Sequence, residues 1–139
     1  MFDYVTLVMK IPSSSIMLLG RSIGTGPATF LASQNPVSVL VLIAPFTSVR
    51  DLAKEVSGKL LQYMVSDRFR NIDLISSVKC PTFIVHGQKD TLVPVLQAED
   101  LYYKCGGLCT LITPAEMDHN NFDFMKDLIT PLKSFLKKC

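Results

Sequence analysis

The sequence predicts an α/β protein, with a parallel sheet of about four strands covered by helices. Three observations carry that prediction. Short apolar runs alternate with longer segments of helical period along the chain, which is the rhythm of βαβ units. The strongest run, Val37-Ser-Val-Leu-Val-Leu-Ile43, is β-branched and almost continuously apolar, as expected of a strand buried on both faces. Runs and helical segments also break at glycine or proline, at Gly20, Pro36, Pro81, Gly87 and Gly106-Gly107, the residues that punctuate secondary structure.

Taken in order, residues 16–19 (Ile-Met-Leu-Leu) read as a short buried strand ending at Gly20. Residues 25–33 carry small and apolar side chains at helical spacing and stop before Asn35-Pro36. The strand over 37–43 follows. Residues 51–65 read as one or two helices around Gly58, and 67–79 as a polar, irregular stretch with a short helix. A second buried strand over 82–86 is entered through Cys80-Pro81 and ended by Gly87. Residues 95–104 read as a helix stopped by Gly106-Gly107. A short strand over 110–113 and an amphipathic helix over 122–136 complete the chain.

The 139 residues read as one domain, 1–139, without repeats or a linker. Apolar residues make up 48% and charged ones 19%, which fits a folded chain rather than a disordered one. Mean hydropathy is slightly positive, and that excess points to a face meant to be covered by something else. A net charge of +2 gives no ground for a nucleic-acid partner or a charged membrane surface. The N-terminus, Met-Phe-Asp-Tyr-Val-Thr, has no basic segment leading into an apolar one, so no secretory signal is expected. The longest apolar stretch, 39–46, falls far short of the ~20 residues that span a bilayer. Of the four cysteines, Cys80, Cys105, Cys109 and Cys139, none forms a CxxC pair or a metal-spaced cluster. They read as reduced thiols, Cys105 and Cys109 flanking the Gly-Gly pair.

Gly20-Arg21-Ser22-Ile23-Gly24 matches G-x-S-x-G. The pattern alone is weak, since a chain this long shows one by chance about one time in twenty. Its context strengthens it, because it sits where an apolar strand must turn sharply into a helix. Such a turn strains the serine and presents its hydroxyl above the end of the strand. Gly24 and Gly26 would let the helix pack close to the strand, and Pro27 suits a first helical turn. The Ile23 N–H would face a developing oxyanion at the helix N-terminus.

A serine hydroxyl needs a base, and the base needs an orienting acid. After a serine of this kind the chain order is Asp or Glu, then His. Asp90 lies four residues beyond the 82–86 strand, and His119 follows the last strand. Each alone reads as an ordinary loop residue. Three candidates in the expected order, all on loops at strand C-termini, make a far rarer coincidence. His86 would reverse that order and reads as structural. Asp118 is an alternative acid, but a residue seldom reaches its own neighbour's Nδ1, so Asp90 is preferred. Arg21 reads as a scaffold residue rather than an oxyanion donor.

Gly20-Arg-Ser-Ile-Gly-Thr-Gly-Pro-Ala28 and Ala44-Pro-Phe-Thr-Ser-Val-Arg-Asp51 resemble the Bem46-like α/β-hydrolases. These include the α/β-hydrolase-domain 17 group of palmitoyl-protein thioesterases. Asn71-Ile-Asp73, Cys80-Pro81, Val85-His-Gly87, Asp90 and His119-Asn120 continue the likeness over nearly the whole chain. It implies Ser22 as nucleophile, Asp90 as acid and His119 as base. The implied reaction is hydrolysis of an acyl ester or thioester, on a small molecule or an acylated protein, without cofactor or metal. The expected location is cytoplasmic, or membrane-associated in the full-length form. In the thioesterase group the membrane attachment lies in an N-terminal region outside this sequence.

Two departures accompany the likeness. Asp118 stands before the histidine where the family usually has glycine, which predicts a tuned or weakened site. The nucleophile strand, normally fifth of eight, is here the first. The chain is therefore expected to form the C-terminal half of the fold, a partial α/β-hydrolase with its N-terminal strands missing. The loop carrying a second oxyanion donor is expected to be missing with them. Three consequences follow: an apolar strand edge left open, a face left uncovered, and a rate ~100- to 1000-fold below that of a full oxyanion hole. The alternative reading is a truncated, non-catalytic relic or binding module.

Overall fold

The computed structural model describes residues 1–52 and 69–139. Apart from residues 51 and 52, which are helical, the helices expected over 51–65 lie outside the described residues, as does the start of the 67–79 stretch. The elements run β1 (Met17–Arg21), α1 (Thr25–Gln34), β2 (Val39–Ile43), α2 (Asn71–Leu74), β3 (Thr82–Val85), α3 (Val95–Lys104), β4 (Cys109–Ile112) and α4 (Thr130–Leu136). The strands form one parallel sheet in the order β1-β2-β3-β4. This is the expected architecture of four parallel strands covered by helices.

Alternation along β2 divides the core in two. Leu40 and Leu42 point to one face, where they pack with Ala28 and Ala32 of α1, Ile84 of β3, and Ala98 and Leu101 of α3. Val39, Val41 and Ile43 point to the other face and meet Phe83, Val85, Met117 and the C-terminal Leu128, Leu132 and Phe135. β2 and β3 are buried along their whole lengths, which explains why their sequences are apolar without a break. β1 differs. Among the described residues it has a strand neighbour on one side only, β2. Its Met17 and Leu19 are in register with Val39 and Val41, and so share their face, yet they are 43% and 56% exposed. The apolar edge anticipated from the sequence is present at β1.

Three local details differ from expectation. α3 ends at Lys104 as predicted, but Cys105 continues in an extended conformation, so the glycines are not a left-handed cap. They allow close approach instead: a Cβ on Gly106 would lie 1.9 Å from the Ser76 carbonyl oxygen, and one on Gly107 would lie 2.8 Å from the carbonyl oxygens of Lys79 and Cys80. The C-terminal helix is not uniform, because a wide π-turn segment, Phe124–Ile129, runs into α4. Asp123 starts it by accepting from the N–H groups of Met125 and Lys126, both at 2.9 Å, while its own N–H donates to Asp127 Oδ2 at 2.9 Å. Pro131 has no N–H to make the ordinary helical bond to the residue four positions back, so the ladder shifts there. Near the N-terminus a short helical turn, Tyr4–Val8, buries none of its residues and carries no periodic sequence signal. Among the described residues no helix is long and apolar enough to cross a membrane.

Candidate active site

Ser22 sits at the junction of β1 and the single 3-10 turn Ser22–Gly24 that leads into α1. Its φ is 49°, a left-handed conformation that costs a non-glycine residue about 1–3 kcal/mol. The surroundings hold it there. Thr25 Oγ1 donates to the Ser22 carbonyl at 2.6 Å. The fully buried Asn71 in turn donates from Nδ2 to Thr25 Oγ1 at 3.3 Å and to the Phe46 carbonyl at 2.9 Å. The turn is thereby fastened to the loop after β2.

The glycines of the motif have unequal work. A Cβ on Gly20 would lie 2.5 Å from the Gly24 carbonyl oxygen and 2.8 Å from Thr25 Cα, so the chain can turn this tightly only without one. Gly24 has nothing within 4 Å of where a Cβ would stand and a helical φ of −68°. Gly26 makes room for Phe69, whose Cβ would lie 2.7 Å away. The expectation that Gly24 and Gly26 serve the contact between helix and strand is corrected on both counts.

The loops after β3 and β4 bring Asp90 and His119 to this turn. His119 Nε2 lies 3.0 Å from Ser22 Oγ, and His119 Nδ1 lies 2.7 Å from Asp90 Oδ2. An ionised carboxylate only accepts, so the proton sits on Nδ1. Nε2 is then free to accept from the serine hydroxyl. Asp90 is oriented by its own loop, since its Oδ1 accepts from the N–H groups of Leu92 at 2.9 Å and Val93 at 2.8 Å. Ile23 follows in the first turn, where helical N–H groups lack intrahelical partners and the helix end is electropositive.

Arg21, read from the sequence as a scaffold residue, has partners that the sequence did not reveal. Its Nη2 donates to the His119 carbonyl at 2.7 Å and to Asn120 Oδ1 at 2.9 Å, tying the base loop to the nucleophile strand. Asp118 turns away from the histidine ring. Its Oδ1 accepts from the N–H groups of Asn120 at 2.8 Å and Asn121 at 2.6 Å, and its Oδ2 from Asn121 Nδ2 at 3.0 Å. These bonds hold its carboxyl below the usual range. Asp118 is therefore a turn-forming residue, and among the described residues it is not one of those with positive φ. The glycine usual in that position is not needed here for conformational freedom.

His86 lies beneath the acid, fully buried. Its Nε2–H donates to the Val93 carbonyl at 2.8 Å and stands 3.4 Å from Asp90 Oδ2, while Nδ1 has no partner. Burial pushes its pKa below the ordinary 6.5. In the unfolded chain the imidazole takes up a proton as the pH falls past about 6.5, whereas in the fold it resists. Stability is therefore complete above that pH and is lost below it. His86→Asn is expected to flatten the decline in denaturation midpoint between about pH 6.5 and pH 5. An unchanged slope in urea melts would show that other groups set the acid limb.

No protein-family model matches the chain. It is similar to several α/β-hydrolase domain-containing proteins. It is 28% identical to aho-3 of Caenorhabditis elegans, over 97% of this chain and 40% of that protein. It is 30% identical to WAV2 of Arabidopsis thaliana, over 79% and 42%. It is 27% identical to protein 17B of Homo sapiens, over 89% and 42%. The chain thus spans about 40% of the length of the curated relatives it matches. Among solved structures it resembles the esterase domain of a Rhodothermus marinus protein, with a TM-score of 0.75 at 14% identity, covering 98% of this chain and 64% of that one. Acetyl xylan esterase 1 from Thermoanaerobacterium matches with a TM-score of 0.73 at 19% identity, over 97% and 50%. At such identities these likenesses concern the fold.

Proposed function

The chain belongs to the α/β-hydrolase superfamily, and from that premise we propose that it is a serine hydrolase acting on acyl esters or thioesters. The observation that carries this reading is the unbroken relay from Ser22 Oγ through His119 to Asp90, at 3.0 and 2.7 Å, with the serine held in a strained turn. In the proposed reaction His119 Nε2 takes the hydroxyl proton as Ser22 Oγ attacks the acyl carbonyl. Asp90 keeps Nδ1 protonated and steadies the imidazolium that forms. The Ile23 N–H donates to the oxyanion. The imidazolium then protonates the leaving alcohol or thiol, and water, deprotonated by His119, releases the acid from the acyl-enzyme. A thiol leaves readily, so an S-acylated protein is the narrower substrate class proposed.

A fluorophosphonate probe tests this directly, because it phosphonylates only a serine whose proton can be removed. The expected result is one labelled peptide containing Ser22, lost in Ser22→Ala and in His119→Ala. A folded wild-type chain that takes no label, or a label that survives Ser22→Ala, overturns the proposal.

A further inference from the structure

The carbonyl of the strained serine is held by a chain of hydrogen bonds that the proposed reaction does not use. Thr25 Oγ1 lies 2.6 Å from the Ser22 carbonyl oxygen, and the Thr25 N–H donates to the same oxygen. Behind it, Asn71 Nδ2 lies 3.3 Å from Thr25 Oγ1 and 2.9 Å from the Phe46 carbonyl. The direction of each bond follows from chemistry. The Phe46 carbonyl only accepts, so the Asn71 amide must turn its NH2 toward it, and the second hydrogen then serves Thr25. The Thr25 hydroxyl accepts there and spends its one hydrogen on the Ser22 carbonyl. A threonine bonding back three residues is by itself an ordinary local contact. Asn71 sets this one apart. It reaches Thr25 across 46 residues of sequence, and both side chains are wholly buried. Among the described residues the Asn71 Oδ1 has no partner, although an unmade buried bond is costly. The side chain is placed for what its NH2 holds.

That chain grips one end of the peptide unit whose other end is the oxyanion donor. Ser22 C=O and Ile23 N–H belong to a single trans peptide, which is planar, so the two bonds point in opposite directions. Fixing the carbonyl therefore aims the N–H. The Ile23 side chain is 60% exposed and gives this peptide little anchorage of its own. A hydrogen bond accepted at the carbonyl also polarises the peptide and makes its N–H a stronger donor. We propose that Thr25 is a positioning residue for the oxyanion donor, its hydroxyl, backed by Asn71, setting the plane of the Ser22–Ile23 peptide. The inference rests on the serine-hydrolase reading. It separates two duties within one turn. The bonds from Ser22 Oγ through His119 to Asp90 prepare the nucleophile, while those from Asn71 through Thr25 to the Ser22 carbonyl prepare the N–H that receives the negative charge.

The test compares a p-nitrophenyl ester with its thionoester, in which sulfur replaces the carbonyl oxygen and accepts hydrogen bonds only weakly. Thr25→Val removes the hydroxyl with little change of shape, and Thr25→Ser keeps it. Losing an oxyanion donor outright costs roughly 100- to 1000-fold, so a misaimed one in Thr25→Val is expected to lower kcat on the ester about tenfold. KM should hold, and kcat on the thionoester should barely change, so the ratio of the two rates falls with the ester. Thr25→Ser should restore that ratio. Asn71→Leu, which leaves the hydroxyl without its backing, should lower it by a smaller factor. A loss of equal size on both substrates, as a general loosening of the turn would give, or no loss at all, overturns this inference alone. A folded wild type that turns over neither substrate overturns the hydrolase reading and this inference with it.

Discussion

Ser22→Ala is expected to lower kcat/KM toward a p-nitrophenyl ester or an acyl thioester by roughly 10^4- to 10^6-fold. Circular dichroism should be unchanged, since the substitution removes one hydroxyl and alanine tolerates the turn no worse than serine. His119→Ala is expected to cost about as much, and the double variant no more than either single one. A proton relay fails as a unit once one member is gone. Asp90→Asn separates orientation from catalysis more cleanly. Asp90 Oδ1 is already engaged with the N–H groups of Leu92 and Val93, and an asparagine oxygen can keep those bonds. The amide then replaces Oδ2 and presents N–H toward His119 Nδ1, which must accept. The imidazole proton moves to Nε2, where it cannot receive the serine's, and a loss of about 10^4 is expected with the loop intact. Turnover by Ser22→Ala within tenfold of wild type would remove Ser22 from the reaction.

What was legible in the sequence depended on whether the cause was local. The 37–43 run is visible as a strand because burial on both faces forbids polar residues, and the structure forms β2 there from Val39 to Ile43. The helix Val95–Lys104 was legible from its spacing and the breakers beyond it. The positions of Ser22, Asp90 and His119 followed from parallel topology, since loops at the C-termini of parallel strands gather at one edge. The tie from Arg21 to the His119 carbonyl spans 98 residues, and no local pattern encodes it. The Asn71 link to Thr25, 46 residues apart, is equally silent. Gly106 looked like a helix stop because sequence shows that a side chain is missing but not what occupies its space. Asp118 could have been read better, because aspartate two and three residues before Asn120 and Asn121 is the pattern of a side chain capping its own turn.

The Asp90 and His119 loops meet through a glycine outside the G-x-S-x-G motif, Gly87, and its substitution is expected to do more harm than that of Gly24 inside it. A Cβ on Gly87 would lie 2.1 Å from the Met117 carbonyl oxygen and 2.5 Å from its carbonyl carbon. Neither atom can yield cheaply, because that carbonyl accepts from the Lys89 N–H at 3.0 Å and the Met117 side chain is 1% exposed within the core. A methyl in Gly87→Ala must therefore push residues 87–90 away from the segment leading to His119. Overpacking of this kind costs about 1–3 kcal/mol or more. The shift also falls on the one contact the acid makes with the base, at 2.7 Å. Misplacement by about 1 Å can cost 100-fold in rate, so turnover per folded molecule should fall along with the melting temperature. Gly24→Ala is the control, with open space and a helical φ. Reduced freedom of the unfolded chain should leave it unchanged or stabilised by about 0.4–1 kcal/mol. Melting curves and active-site titration of the two variants decide between packing and motif. If Gly24→Ala proves the more damaging, the motif glycine has a role in the reaction that its surroundings do not reveal.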